Sequence, residues 1–264
     1  MTSPTLPEAT YARTRLGSGS GLVLAHGAGS SVDNTWGPLL DGLTAGHTVV
    51  GVDYPGSGGT PRSPGPLSLD DLADQLVAGA EAEGLRTFAL AGYSLGGLVA
   101  MRAAARHPER VTVLVLTATM PYRDTPLALK TSVWRQLAEL GNRRLLAEFL
   151  LPVGSSPRAL DSYTDDQIRD ALAFAGDSAA DGTPEQAELA GRADVRGDLA
   201  SIKAPTLVIS TTADQLVRPV LHQQLVTGIT GAERAEIDAG HLVMVERPRE
   251  WLQLITAFLD RHHA

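Results

Sequence analysis

The sequence contains a serine, an aspartate and a histidine in settings that suit nucleophilic catalysis. Gly92-Tyr93-Ser94-Leu95-Gly96 has the spacing G-x-S-x-G and lies between a short apolar run and an alanine-rich helical stretch. A serine at a tight turn from strand to helix leaves no room for a Cβ two residues away on either side, which accounts for both glycines. The motif predicts a nucleophile elbow that lifts the Ser94 hydroxyl above a sheet.

A serine hydroxyl is a weak nucleophile unless a base accepts its proton, and the base needs a carboxylate to orient it. His241 follows the last predicted strand, and Asp214 follows the strand before it. The order serine, acid, histidine is the one expected with this elbow. We therefore predict that Ser94, Asp214 and His241 are catalytic. Asp124 and Asp238 are the competing acids.

Five of the seven histidines are not expected to take part in this chemistry. His47 and His222 lie in polar segments without a glycine-flanked strand end, and His262 and His263 lie at the chain terminus. His107 follows a helix and precedes a proline, a position that suits a charge at a helix C-terminus.

Two backbone amides are candidates for stabilising the negative charge that develops on an attacked carbonyl oxygen. The Leu95 amide follows the serine at the start of a helix, where N–H groups have no partner within the helix. The run Leu22–Ala25 is followed by His26-Gly27-Ala28-Gly29, a turn of small residues that lets a backbone N–H approach a ligand oxygen. We predict an oxyanion hole formed by the Ala28 and Leu95 amides. The alternative is an ordinary glycine-rich strand exit.

The elements that must position these residues are short apolar runs that alternate with helical stretches. The runs are nearly continuous in Val, Leu, Ile and Ala, as strands covered on both faces require. They are Leu22–Ala25, Val49–Val52, Thr87–Ala91, Val111–Leu116, Pro205–Ile209 and Ala235–Ile237, and the helical stretches are Leu69–Ala82, Leu95–Arg106 and Glu250–Arg261. This alternation predicts an α/β fold with a mostly parallel sheet and helices on both faces.

The alternation is interrupted between about Ala118 and Leu199, where helical patterns occur without a convincing strand. We predict an α/β core of residues 1–117 and 199–264 and a helical lid of residues 118–198. The stretch Gly176–Gly182 is rich in Gly, Asp and Ser and suits a hinge or a surface loop. The alternative is that these helices only enlarge the core.

The chain resembles lid-bearing proteins of the α/β-hydrolase fold over nearly its whole length. The likeness rests on the elbow, on His26-Gly27, on Asp53-Tyr54-Pro55-Gly56-Ser57-Gly58-Gly59-Thr60, on Ala204-Pro205-Thr206-Leu207-Val208-Ile209, and on Gly240-His241 followed by Glu246-Arg247-Pro248. It implies a mostly parallel sheet of eight strands with the helical lid inserted after the sixth. The first two strands are then the weakly patterned Tyr11–Arg15 and Gly17–Gly21. Two turns depart from the family pattern: Ser210-Thr211-Thr212-Ala213 lacks the usual glycine before the acid, and Thr60 replaces a common serine.

A lid over Ser94 implies a pocket lined by bulky side chains. The candidates are the aromatic and sulfur-containing residues Trp36, Tyr93, Met120, Tyr122, Trp134, Phe149 and Met244. Trp36 and Trp134 suit the core as well, because apolar residues at helical spacing usually serve packing.

Composition argues against several other functions. The 264 residues carry 30 acidic and 22 basic side chains, a formal charge of −8, with no basic block that could neutralise a phosphate backbone. The absence of cysteine excludes a thiolate nucleophile, and no motif implies a metal or an organic cofactor. We expect a small-molecule substrate, no nucleic-acid or membrane partner, and a monomer or homodimer. The N-terminal segment lacks the apolar centre of a signal peptide, so we expect a cytoplasmic protein. The excess of arginine over lysine suits a GC-rich bacterial genome.

These residues predict a serine hydrolase that cleaves a carboxylic ester, thioester or lactone of a small hydrophobic substrate through an acyl-enzyme. One alternative is a carbon–carbon bond hydrolase, lyase or cyclase that uses the same three residues on a biosynthetic intermediate. A second alternative is a ligand receptor that keeps the fold and the pocket without turnover.

Overall fold

A computed structural model describes residues 10–264. Within these residues the chain forms a seven-stranded sheet with the order β1-β3-β2-β4-β5-β6-β7, parallel except for the β1–β3 pair. The strands are β1 (Arg13–Gly17), β2 (Ser20–Ala25), β3 (His47–Val52), β4 (Phe88–Tyr93), β5 (Val111–Thr117), β6 (Thr206–Thr211) and β7 (Glu233–Ile237). The predicted α/β fold with a mostly parallel sheet is confirmed.

Helices cover both faces of the sheet. They are α1 (Val32–Thr44), α2 (Leu69–Ala82), α3 (Leu95–Arg106), α4 (Thr125–Glu139), α5 (Arg143–Gly154), α6 (Pro157–Ser162), α7 (Asp165–Asp177), α8 (Thr183–Ala190), α9 (Pro219–Gly228), α10 (Val243–Glu246) and α11 (Pro248–Arg261). Helices α2, α3 and α9 bury their apolar sides in one core, and α1, α10 and α11 bury theirs in a second core on the opposite face. Among the described residues, every helix is too short or too polar to cross a bilayer.

The strand count differs from the eight that the resemblance implies, since residues 10–264 form seven. The predicted first strand, Tyr11–Arg15, corresponds to β1. The predicted second strand, Gly17–Gly21, does not exist as a separate element, because its residues end β1, form a turn and begin β2. The insertion of helices α4–α8 therefore follows the fifth strand, β5, and not a sixth. Its position in the sequence is the predicted one, since β5 ends at Thr117.

Helix α1 is not predicted by the sequence patterns, because Gly37, Pro38 and Gly42 interrupt its apolar spacing. It begins at Ser31, whose hydroxyl accepts a hydrogen bond from the Asn34 amide at 3.2 Å. Such an N-cap satisfies a donor that the first helical turn leaves unpaired. The helix also buries a continuous apolar side: Val32, Trp36, Leu39 and Leu43.

The inserted helices α4–α8 divide into two groups by what they bury. Helices α4 and α8 contribute to the same core as α2 and α3, through Leu127, Trp134, Ala187, Leu189 and Ala190. Helices α5 and α7 pair with each other around a separate small cluster, Ala147, Leu151 and Leu172. Helices α4 and α8 are thus continuous with the main core, whereas α5 divides its buried residues between this small cluster and the main core, to which Leu146 belongs.

The sheet brings the predicted functional residues to one edge. Ala28 follows β2, Ser94 follows β4, Asp214 follows β6 and His241 follows β7. Because these four strands are parallel, their carboxyl ends open on the same side, where ligand sites of open α/β sheets lie.

His222 on α9 is buried, although it was expected in a polar segment. Its Nδ1 lies 3.0 Å from the Ser210 hydroxyl on β6. Burial lowers the pKa of His222 to about 4; the negative charge of Asp214 opposes this shift, whereas the positive charges of His241 and Arg234 add to it. The side chain is therefore neutral at pH 7.

We expect His222 to make the fold sensitive to acid. An unfolded histidine has a pKa near 6.5, so below that pH protons bind the unfolded chain in preference to the folded one. The free energy of unfolding should fall between pH 6.5 and pH 4, by about 3 kcal/mol from this residue alone. His222→Asn, which does not titrate, should flatten this fall in urea unfolding at a series of pH values. His263→Asn at the C-terminus is the control, and equal slopes in all three proteins would contradict the assignment.

Candidate active site

Ser94 lies at the turn from β4 to α3 with a φ of 53°, a left-handed conformation that costs free energy in any residue with a Cβ. The Ser94 amide donates to the carbonyl of Thr117 at the end of β5 at 3.0 Å, which holds the turn against that strand. A Cβ on Gly96 would lie 2.1 Å from the Ala25 carbonyl oxygen, and one on Gly92 would lie 2.5 Å from the Gly96 carbonyl oxygen. Both glycines are therefore required by the close approach of backbone to backbone.

The three predicted side chains form one hydrogen-bonded chain. His241 Nε2 lies 3.0 Å from Ser94 Oγ, and His241 Nδ1 lies 2.7 Å from Asp214 Oδ2. All three residues are buried. Because a carboxylate can only accept, Nδ1 carries the proton and Nε2 is free to accept the proton of the serine hydroxyl. This geometry suits removal of the Ser94 proton by His241.

Four donors surround the Asp214 carboxylate. Oδ1 accepts from the Leu216 and Val217 amides, both at 2.8 Å. Oδ2 accepts from the Thr211 hydroxyl at 3.0 Å in addition to His241. A buried charge is tolerated when its acceptor positions are filled in this way. Thr211 belongs to the turn that lacks the family glycine. Its hydroxyl is a hydrogen-bond donor to Asp214 that no sequence pattern indicates.

The competing acids have other partners. Asp124 caps α4 by accepting from the Leu127 amide at 2.8 Å, and Arg218 binds its carboxylate at 2.7 Å. Asp238 is exposed and pairs with Arg158 at 2.9 Å. Neither carboxylate is hydrogen-bonded to His241 in the described structure.

Two further residues hold the loop that carries His241. The Tyr93 hydroxyl donates to the His241 carbonyl at 2.9 Å, and the two rings lie 5.1 Å apart. Burial, together with the negative charge of Asp214, raises the pKa of Tyr93, which keeps the phenol protonated as a donor. The Glu246 carboxylate accepts from the Gly240 amide at 3.2 Å and from the Ser156 amide and hydroxyl at 2.8 and 2.6 Å. In the sequence Glu246 stands out only as part of a motif, whereas these contacts give it a structural role.

The turn after β2 lies beside Ser94. A Cβ on Gly27 would be 3.5 Å from the Ser94 Cβ. His26 Nδ1 donates to the Gly27 carbonyl at 2.8 Å, and its Nε2 accepts from the Tyr54 amide at 3.0 Å. Burial lowers the pKa of His26, in keeping with a neutral ring that uses one nitrogen as a donor and the other as an acceptor.

The two amides predicted for an oxyanion hole are unpaired within residues 10–264. No hydrogen bond from the Ala28 or the Leu95 N–H occurs there, whereas most buried backbone groups have partners. Ala28 lines a cavity that also borders Ser94 and His241. The arrangement leaves two donors free near the serine hydroxyl.

The cavity has a volume of about 430 Å³. Of the predicted pocket residues, the structure places Tyr93, Trp134 and Met244 in its lining. Further apolar lining comes from helices α5, α7 and α10 and the segment before α10: Leu150, Leu151, Val153, Phe174, Leu242 and Val245. No lysine or arginine lines the cavity in the described structure, so its surface suits an uncharged, apolar ligand.

The other predicted pocket residues lie elsewhere. Trp36 stacks on Trp251 with ring centroids 4.7 Å apart, between α1 and α11. Met120 is buried in the core, and Phe149 packs against it. Tyr122 lies under Arg196, whose guanidinium carbon is 4.4 Å from the ring centroid. An aromatic or sulfur-containing side chain suits a packed core as well as a cavity, so residue type alone does not separate these four from the residues that line the cavity.

The chain matches one protein family over most of its length and a characterised relative of similar length. The model of the alpha/beta hydrolase family matches residues 22–254. Pyrrolizixenacetamide deacetylase of Xenorhabdus hominickii is 35% identical over 245 residues, which cover 92% of this chain and 92% of that protein.

Solved structures agree with the fold. A thermophilic esterase from Thermogutta terrifontis has a TM-score of 0.82 at 25% identity, with 96% of this chain and 94% of that chain covered. The enol-lactonase from Burkholderia xenovorans LB400 has a TM-score of 0.84 at 24% identity, with 95% and 96% covered. The latter similarity supports the fold alone.

Gly96→Ala tests the packing of the elbow. The added methyl group would collide with the backbone of Ala25 and His26, so we expect the free energy of unfolding to fall by at least about 2 kcal/mol. Gly37→Ala on α1 is the matched control, since its Cβ meets no atom within 4 Å and alanine should stabilise a helix by about 0.5–1 kcal/mol. Urea unfolding measures both changes. Equal stability of the two variants would show that the elbow is not tightly packed.

Proposed function

The chain belongs to the alpha/beta hydrolase family, and we propose that it acts as a serine hydrolase whose nucleophile is Ser94. Its family and its hydrolase relatives make it an esterase-like hydrolase. One observation carries the assignment of the residues: the hydrogen-bonded chain from Asp214 through His241 to Ser94, at the edge of an apolar cavity.

In the proposed reaction Ser94 Oγ attacks the carbonyl carbon of the substrate while His241 Nε2 takes the hydroxyl proton. Asp214 stabilises the resulting imidazolium and keeps its Nδ1 proton in place. His241 then gives the proton to the leaving group, which departs and leaves an acyl-enzyme on Ser94. Water, deprotonated by His241, attacks the acyl group, and collapse of the second tetrahedral intermediate releases the acid and restores the serine.

The Ala28 and Leu95 amides are proposed to bind the oxyanion of both tetrahedral intermediates. Their support is that both N–H groups are unpaired in the described structure and that the turn carrying Ala28 adjoins Ser94. A donor placed before the reaction costs no reorganisation when the charge develops. The inserted helices of residues 118–198 are proposed to act as a lid that limits the access of water, because α5 and α7 contribute much of the cavity lining.

The lining favours an uncharged substrate with an apolar acyl or leaving group. Carboxylic esters, thioesters and lactones all present a carbonyl that the proposed residues can attack. A carboxylate on the substrate would meet Asp170 and Glu246 at the cavity, with no lysine or arginine among its described lining. Anionic substrates are therefore disfavoured on electrostatic grounds.

Hydrolysis of an acetamide is a second candidate, because the 35% identical relative is named as a deacetylase of an acetamide. Ser94, His241 and Asp214 suit the hydrolysis of an amide bond as well as that of an ester bond. An amide differs in that its amine leaves only after protonation, which places more of the barrier on proton donation by His241.

The first test is the intact mass of the protein after incubation with an alkyl fluorophosphonate. We expect one stoichiometric adduct on the wild type and none on Ser94→Ala, because the probe requires an activated serine. His241→Ala should also lack the adduct. Ser132→Ala, which removes an exposed hydroxyl on α4, should react like the wild type. A folded wild type that takes up no adduct would contradict the proposal and favour a lyase, a cyclase or a receptor without turnover.

The second test compares an ester and an amide that share one acyl group, p-nitrophenyl acetate and p-nitroacetanilide, followed by longer acyl chains. We expect release of p-nitrophenol that falls by at least about 10³-fold in Ser94→Ala. Amide turnover at a comparable kcat/KM would favour the deacetylase candidate over the ester candidate. Stoichiometric labelling without turnover of either series would exclude both and leave carbon–carbon bond hydrolysis, a lyase or a cyclase.

A further inference from the structure

Gln186 on α8 connects the inserted helices to two loops of the α/β core. Its Oε1 accepts from the Gly29 amide at 2.8 Å. Its Nε2 donates to the Pro55 carbonyl at 3.0 Å and to the Ser57 hydroxyl at 2.9 Å. The side chain is 0% exposed, and both its acceptor and its donors are used. A fully satisfied buried amide of this kind fixes the groups around it.

The position of Ala28 depends on these contacts. The carbonyl that precedes it, that of Gly27, accepts from His26, and the amide that follows it, that of Gly29, donates to Gln186. Because each peptide group is planar, holding one atom of a peptide restricts the direction of the others. The Ala28 N–H belongs to the same peptide as the Gly27 carbonyl. The two side chains thus hold the peptides on both sides of the Ala28 Cα.

The backbone of the inserted segment supports the same loops. The Ala180 amide donates to the Gly29 carbonyl at 3.1 Å, and the Gly182 amide donates to the Gly56 carbonyl at 3.0 Å. A Cβ on Gly56 would lie 2.4 Å from the Gly182 Cα, so the two backbones are in direct contact. The start of α8 is therefore fastened to the loops after β2 and β3.

We propose that Gln186 is a positioning residue that sets the direction of the Ala28 amide towards the reacting carbonyl oxygen. The inference rests on the proposed function and on the proposed role of Ala28. Removing the amide of Gln186 would leave the buried Pro55 carbonyl and the partly buried Gly29 N–H without these partners. The loop would then rearrange to recover hydrogen bonds, because an unpaired buried group is costly. Such a shift would move the Ala28 amide.

The effect should appear in the transition state rather than in substrate binding. Deleting one oxyanion donor costs about 10²–10³ in kcat, so a misplaced donor should cost about 10–100-fold. KM should change by less than about threefold, because the oxyanion exists only after attack.

The experiment compares Gln186→Met, which keeps the length of the side chain without its hydrogen bonds, with the wild type. Glu188→Gln, an exposed change on the same helix, is the matched control. We would measure kcat and KM for p-nitrophenyl butyrate. We would also measure inhibition by an alkyl trifluoromethyl ketone, which adds to the serine as an oxyanion, and by the corresponding alcohol, which does not.

For Gln186→Met we expect kcat and ketone affinity to fall together by about 10–100-fold, with little change in alcohol affinity. A variant with wild-type kcat and ketone affinity would overturn the proposal. Equal losses for the ketone and the alcohol would also overturn it, since they would indicate a general collapse of the cavity. An inactive and unlabelled wild type would instead overturn the proposed function itself.

Gln186→Glu keeps the proposal testable if Gln186→Met does not fold. A carboxylate can accept from Gly29 but cannot donate to Pro55, whereas a protonated carboxyl regains one donor. The kcat of this variant relative to wild type should therefore rise as the pH falls. A constant ratio across the pH range in which the wild type stays folded would count against a positioning role.

Discussion

The left-handed backbone of Ser94 is the constraint on which the site depends. A residue with a Cβ keeps this conformation only where its surroundings hold it. Here the Ser94 amide is bonded to the end of β5, and the Thr119 hydroxyl donates to the Ser94 carbonyl at 2.7 Å. The close approach at Gly96 brings the exit of β2 against the start of α3. One strained turn therefore requires three neighbouring strands to be aligned, and within the described chain it leaves the Leu95 amide unpaired next to the serine.

The remaining groups reach this turn from the carboxyl ends of other strands. Asp214 receives four donors, and three of them come from its own turn. His241 is held at its carbonyl by Tyr93, the residue next to the nucleophile. The acid is thus fixed locally, whereas the loop that carries the base is held by the elbow through Tyr93 and by Glu246 through the Gly240 amide.

Local patterns predicted the strands, most core helices and the three hydrogen-bonded side chains, because each of these follows a short apolar run or a glycine-bounded turn. What the patterns missed depends on distant contacts. Gln186 meets Gly29 across 157 positions of sequence, and no motif marks it on α8. Gly37 and Pro38 obscure the helical pattern of α1 in the sequence. The N-cap at Ser31 and the buried apolar side of the helix stabilise it nevertheless. Residue type alone does not distinguish Trp36, which stacks on Trp251 in the core, from Trp134, which also lines the cavity.

The division of the inserted segment also bears on how substrate preference could diverge among related chains. Helices α5 and α7 line the cavity and bury a cluster separate from the main core. The residues of α5 and α7 that face only this cluster and the cavity can therefore be exchanged with little effect on the sheet. Helix α8 is not interchangeable in this way, because Gln186 binds a loop next to the nucleophile. In a chimera made between relatives, the α5–α7 segment, residues 143–177, is the unit to transplant, with Leu146 in the main core and Ser156 on Glu246 kept from the recipient together with α4 and α8.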